Sequence, residues 1–176
     1  MTKSERERLI EQLGLAPLSR EGGLFRQTYR SADILPSASL PERYGVEKPA
    51  GTAIYYMLTN APESFSAMHR LPTDEIYHFY LGDPVELLIL YPDLTSNKVI
   101  LGQDVLNGQH VQYIVPRGTW QGSRLCPGGS FALLGTTMAP GFTEDDFDLA
   151  MRAYLLEQYP DQALLILALT QPEEEG

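Results

Sequence analysis

His69-Arg70-Leu71-Pro72-Thr73-Asp74-Glu75-Ile76-Tyr77-His78-Phe79-Tyr80-Leu81-Gly82 (HRLPTDEIYHFYLG) is the stretch on which the fold turns. From Glu75 to Leu81 it is dense in aromatic and branched apolar residues, and Gly82-Asp83-Pro84 stops it with turn residues. Residues 75–81 and 85–91 therefore read as two strands of a tight hairpin. The same texture extends outward in both directions. Runs at 24–30, 52–59, 64–70, 98–101, 111–115 and 131–137 are rich in Tyr, Ile, Val and Leu, and Gly, Pro, Asn and Asp separate them. Residues 91–97 (YPDLTSN) supply the turn before the run at 98–101. Short strands in this number and at this spacing predict an all-β chain, a jelly roll or double-sheet barrel.

Helices are expected only at the flanks. Ser4 with Glu7 forms a capping-box pattern, and Leu9, Ile10 and Leu13 follow at helical spacing before Gly14, so 4–13 reads as a helix. After Pro140-Gly141, the acidic stretch 144–148 leads into 149–159, whose apolar positions suit a C-terminal helix packed on the barrel. Residues 31–50 contain Pro36, Pro41 and Pro49, too many for a central strand, and read as a surface excursion or lid. The last residues, PEEEG at 172–176, read as disordered. A chain of 176 residues suits one domain, with its core at about 20–142.

Composition excludes several classes of partner. A formal net charge of −10 and a pI near 4.7 repel phosphate backbones and anionic lipid, so nucleic acid is not expected. No apolar run approaches the roughly 20 residues that span a bilayer, and even 163–169 is too short, so no membrane segment is expected. Cys126 is the single cysteine and has no intramolecular partner. With no signal-like start, the expected compartment is a reducing cytoplasm.

The deciding stretch also resembles a known family. The first cupin motif places H-x-H, a Glu after three or four residues and a Gly after six more. Here His69, Leu71, Glu75 and Gly82 stand at those spacings. The second motif is P-x-G, two residues, His, three residues, Asn. Here Pro116 and Gly118 are followed by Gln121 and Leu125 at the His and Asn positions, while the leading Gly is met only loosely by Gly108. Glu21-Gly22-Gly23, Thr52-Ala53-Ile54-Tyr55-Tyr56, Asp74-Glu75 with His78, Trp120-Gln121 and Pro140-Gly141-Phe142 with Asp146-Phe147 resemble a small-cupin branch described as a domain of unknown function. The resemblance runs from about residue 9 to 160 and implies a cupin double-stranded β-helix with short terminal helices. Such cupins commonly pair through barrel edges, so the resemblance also implies a homodimer.

Metal-binding cupins use two His, a Glu and a later His. In this chain Leu71 replaces the second His and Gln121 the last, leaving one imidazole, one carboxylate and one neutral amide. No cofactor is therefore expected, with a weak metal site at His69, Glu75 and Gln121 as the alternative. His69 with Glu75 reads as a catalytic pair, a neutral imidazole serving as general base beside an orienting carboxylate. Tyr56, Tyr77, His78 and Gln121 are the expected ligand contacts. Tyr55, Tyr80 and Tyr113 also lie on predicted strands, so no one tyrosine is singled out as an acid. Strand parity turns His78 away from Glu75, Tyr77 and Phe79, and only a bulge would bring it back.

Each site residue also has a structural reading. His69 suits a hydrogen-bonded core position, Glu75 an ion pair with Arg26, Arg70 or Arg117, and His78 a subunit interface. Gly22-Gly23 reads as a tight turn, since nothing like a P-loop follows. Cys126 has no activating neighbour in sequence. The functional expectation is a small polar ligand, carbohydrate-like or nucleotide-sugar-like. The chemistry is metal-independent isomerisation or epimerisation, by analogy with the cupin-fold dTDP-4-dehydrorhamnose 3,5-epimerases. The alternatives are a non-catalytic metabolite-binding or sensing module and a metal-dependent cupin enzyme.

Overall fold

The computed structural model describes residues 3–171; the stretch 172–176 lies outside them. Helix α1 (Glu5–Leu13) begins where expected. Ser4 Oγ accepts the Glu7 N–H at 3.2 Å, the Glu7 carboxylate accepts the Ser4 N–H at 2.7 Å, and Gly14 ends the helix at φ 61°. The strands that follow are β1 (Ala16–Pro17), β2 (Leu24–Arg30), β3 (Ile34–Leu35), β4 (Lys48–Pro49), β5 (Thr52–Thr59), β6 (Ser66–Arg70) and β7 (Glu75–Gly82). Next come β8 (Val85–Leu90), β9 (Ser96–Leu101), β10 (Gln112–Val115), β11 (Trp120–Leu125), β12 (Phe131–Met138) and β13 (Asp148–Leu149). Helices α2 (Arg152–Gln158) and α3 (Ala163–Ala168) close the described chain.

Among the described residues the strands form a six-stranded sheet, order β1-β2-β5-β12-β7-β10, and a five-stranded sheet, order β13-β6-β11-β8-β9; β3 and β4 pair separately. The ladders are antiparallel. The two sheets face each other as in a jelly roll and bury Tyr56, Leu58, Tyr77, Phe79, Leu87 and Ile89 between them. The outer face of the five-stranded sheet is covered by α2 and α3, whose Leu155, Leu165 and Ile166 pack on Met68, Leu88 and Trp120. At one end of the six-stranded sheet, Leu9, Ile10 and Leu13 of α1 cover Met57, Phe131 and Leu133. No helix among the described residues is long and apolar enough to cross a membrane.

Several elements differ from the sequence expectation. Strand β11, not foreseen, lies in the middle of the five-stranded sheet between β6 and β8. Its buried residues include Gln121 and Ser123, so the usual apolar alternation is absent. Gly122 is needed there because a Cβ would stand 2.6 Å from Met68 Sδ. The expected helix over 149–159 is confined to Arg152–Gln158, because Asp148 and Leu149 pair with Arg70 and His69 of β6 as an edge strand. The apolar run that is too short for a membrane forms α3.

Residues 31–50 are more ordered than a loop. They carry the β3–β4 ladder and bury Lys48 against Asp146. No residue of this excursion lines the cavity described below, so it is not the lid. Phe142, Glu144 and Phe147 of the segment 139–149 line the cavity instead.

Candidate functional site

A cavity of about 440 Å³ opens at one end of the barrel, with Glu21, His69, Leu71, Glu75, Thr136 and Phe147 among its walls. That volume falls within the roughly 300–1,000 Å³ typical of small-molecule sites.

His69 is positioned by an irregularity in β6. The register with β11 pairs His69 with Gln121 and Ser66 with Ser123, three residues against two, which marks a bulge. In a regular strand, residues three apart point to opposite faces; the bulge lets both Ser66 and His69 turn inward. His69 is 1% exposed, and its Nδ1 lies 2.7 Å from the Ala67 carbonyl. A carbonyl only accepts, so Nδ1 carries the proton and Nε2 keeps its lone pair. Nε2 stands 4.0 Å from Glu75 Oε2, an electrostatic neighbour rather than a hydrogen bond. Burial pushes the imidazole pKa down, while the Glu75 charge opposes it.

Glu75 opens β7, 7% exposed, and its Oε2 accepts from Gln121 Nε2 at 2.7 Å. Burial pushes its pKa up; His69 pulls it down, and Glu21 pushes it up further. Two of its alternative arginine partners are engaged elsewhere, Arg26 on the Leu13 carbonyl and Arg70 on Asp148.

The roof is the segment 139–149. Phe142 and Phe147 line the cavity, and the Phe147 ring stacks on His69 with centroids 5.0 Å apart. The Arg20 guanidinium lies over the Phe147 ring at 4.8 Å and donates to its carbonyl. A 3-10 turn at Glu144–Asp146, closed by the Thr143–Asp146 capping box, sets this segment in place.

Glu21 is the functional candidate that sequence reasoning missed. The signal was present in Glu21-Gly22-Gly23. Gly22 and Gly23 sit at φ 94° and 70°, and a Cβ on Gly22 would stand 2.4 Å from the Phe65 carbonyl oxygen. This turn sends the Glu21 side chain into the cavity, where Oε1 accepts from Ser66 Oγ at 2.8 Å. Burial pushes its pKa up to about 7.

A carboxyl whose pKa rises from 4.5 to about 7 on folding contributes stability in full below pH 4.5, and that contribution is lost as pH climbs through 7. Glu21→Gln is therefore expected to resist urea better than the parent at pH 8 and to match it at pH 4. Identical pH dependence in the two proteins would contradict this placement of Glu21.

The other expected contacts are distributed differently. Gln121 stands behind Glu75. Tyr56 and Tyr77 are buried in the barrel interior, and Tyr56 Oη donates to the Gly22 carbonyl at 3.0 Å. Burial pushes both phenols well above their ordinary range. His78, expected among the ligand contacts, is on the outer face of β7, where Nε2 meets Thr137 Oγ1 at 2.9 Å. Strand alternation is the reason. A bulge does exist in β7, but the shift from Phe79 to Leu81 opposite Leu134 and Leu133 places it at Tyr80, past His78.

The donor set does not fit the metal that the cupin fold commonly holds. Leu71 supplies an apolar wall in place of the second imidazole. Gln121 turns its NH₂ toward Glu75, so Oε1 points away from that carboxylate. Among the described residues, no three His, Cys, Asp or Glu side chains converge as a metal site. Two donors fall short of the roughly three or four that a divalent transition metal takes from protein.

Comparison with known proteins agrees with this architecture. The chain is 30% identical over 144 residues to an uncharacterised protein of Saccharomyces cerevisiae, covering 72% of this chain and 66% of the yeast protein. The structure of a hypothetical protein from Leishmania major superposes with a TM-score of 0.84 at 29% identity, covering 96% of this chain and all of the other. A protein from Shewanella oneidensis superposes with a TM-score of 0.83 at 30% identity, covering 97% of this chain and all of the other. Oxalate decarboxylase from Bacillus subtilis shares the fold at 12% identity, with a TM-score of 0.52 over 91% of this chain and 38% of the other. Residues 7–150 match the family described as Cupin superfamily (DUF985), and to that family this chain belongs.

Proposed function

We propose that the cavity binds a small, neutral, carbohydrate-like ligand and that His69 acts there as a metal-independent general base in an isomerisation or epimerisation. The observation that carries this reading is the His69 tautomer. With Nδ1–H held by Ala67, Nε2 remains an unprotonated nitrogen at the cavity wall, and burial keeps it neutral at physiological pH. Glu75, close to Nε2 and steadied by Gln121, is placed to stabilise the imidazolium that forms when a proton is taken.

The lining narrows the ligand. It carries one guanidinium, Arg20, and three carboxyls, Glu21, Glu75 and Glu144. A nucleotide-sugar would bring a pyrophosphate for which this wall offers a single cation, and 440 Å³ is near the lower end for small-molecule sites. A monosaccharide-sized polyol or keto sugar suits it better, with apolar walls at Phe25, Ile54 and Phe147 for its C–H faces. The metal-free cupin-fold epimerases offer an analogy of reaction type. The distant structural neighbour described above is a decarboxylase and adds nothing to it.

Thermal-shift measurements with D-fructose, L-rhamnose and a nucleoside diphosphate sugar test the reading. Stabilisation by neutral sugars, with new isomers visible by NMR, is expected. A sugar that stabilises the protein but is recovered unchanged after long incubation would make the cavity a binding or sensing module instead.

A further inference from the structure

Beyond His69, a proton-transfer reaction needs a group that protonates the oxygen on which charge develops. The candidates are the tyrosines and the lining carboxyls Glu21, Glu75 and Glu144, of which Glu144 is exposed to solvent. Tyr56 spends its hydroxyl proton on the Gly22 carbonyl, and neither Tyr56 nor Tyr77 lines the cavity. Glu75 faces His69 and receives Gln121, an arrangement for holding an imidazolium. Glu21 lines the cavity, where Ser66 Oγ donates to its Oε1 and the Tyr56 hydroxyl also meets its carboxyl.

The backbone also couples Glu21 to His69. The Ala67 N–H donates to the Glu21 carbonyl at 2.7 Å, and the Ala67 carbonyl accepts from His69 Nδ1 at 2.7 Å. One residue of the β6 bulge therefore fixes both groups, and the adjoining Ser66 fixes the Glu21 carboxyl. The paired glycines after Glu21 let this turn lie against Phe65 and Tyr56, since a Cβ on either would collide there.

We propose that Glu21 is the general acid that works with His69 in this cavity on a keto or aldehydo sugar. This rests on the proton-transfer reading given above. In the step, His69 Nε2 takes the proton from the carbon next to the ligand carbonyl. The C–H electron pair becomes the C=C bond of an enediol, and the carbonyl π pair takes the proton of the Glu21 carboxylic acid. The imidazolium then returns its proton to carbon while the Glu21 carboxylate regains the hydroxyl proton, so both groups end as they began. A carboxyl with a pKa of about 7 beside a neutral imidazole holds the required protonation states near neutral pH.

The test follows loss of the C–H signals next to the carbonyl of dihydroxyacetone and of D-fructose in D₂O by NMR. The parent is expected to exchange these protons, with a rate that falls as pH rises through about 7. Glu21→Gln is expected to slow exchange about 100-fold or more and to remove that alkaline limb, and Glu21→Asp to restore part of the rate. Ser66→Ala, which removes one of the two hydroxyls on the Glu21 carboxyl, is expected to give a smaller loss than Glu21→Gln. If Glu21→Gln leaves rate and pH profile within about threefold of the parent, Glu21 is not the acid, although His69 chemistry stands. If the parent exchanges neither probe above a heat-denatured control, the proton-transfer reading falls, and the role of Glu21 with it.

Discussion

A His69→Ala variant is expected to lose proton-transfer turnover by about 10²–10⁴-fold, the range that a positioned general base contributes. The loss should not be one of folding. Truncation leaves the Ala67 carbonyl without its partner and removes the ring on which Phe147 stacks, which costs about 1–3 kcal/mol. His69→Asn separates the two effects, because its amide N–H can still reach the Ala67 carbonyl while no base remains at the cavity wall. Both variants should lose turnover to the same extent, and His69→Asn should be the more stable in urea. Retention of turnover in either would remove His69 from the chemistry.

Replacing Lys48 by alanine is expected to damage the fold as much as truncating a large core side chain. Lys48 Nζ stands 2.5 Å from Asp146 Oδ1, with the two side chains 0% and 2% exposed. It also donates to Thr143 Oγ1 and lies 5.9 Å from the centre of the Tyr44 ring. Removing one partner of such a pair leaves an uncompensated buried charge, at a cost of about 3–5 kcal/mol. The effect should reach the site, because Asp146 adjoins Phe147, whose ring stacks on His69. Lys48→Met combined with Asp146→Leu should recover only part of the loss, since it removes the buried charge but also the Asp146 cap on the Thr143 N–H. Urea denaturation measures this; a loss below about 1 kcal/mol in Lys48→Ala would mean that the ion pair is solvated.

The strands were legible wherever the chain puts apolar residues on its inner face. Residues 52–59, 75–82, 85–90 and 131–138 declare themselves by aromatic and branched side chains, but the hairpin expected at Gly82-Asp83-Pro84 does not form, because β7 pairs with β10 and β12 in one sheet and β8 with β9 and β11 in the other. Strand β11 did not declare itself, because Gln121, Gly122 and Ser123 stand where a buried strand would carry apolar side chains. A strand that supports a buried carboxylate from behind, as Gln121 does Glu75, inverts the pattern by which strands are read. The site was legible in part for the same reason. Motif spacing singled out His69 and Glu75, whereas Glu21 reaches the cavity through a turn whose meaning depends on Phe65 and Tyr56, more than 30 residues away in sequence. Parity alone placed His78 correctly on the outer face, against its candidacy as a ligand contact.

Diffraction from crystals grown with D-fructose, collected above the absorption edges of Mn, Fe, Ni and Zn, tests the central claim most directly. The account predicts density for an organic ligand in the cavity, with an oxygen or carbon of the sugar within about 3.5 Å of His69 Nε2 and no anomalous peak beside it. An anomalous peak about 2.1 Å from both His69 Nε2 and a Glu75 oxygen would contradict it and make this a metal-dependent cupin.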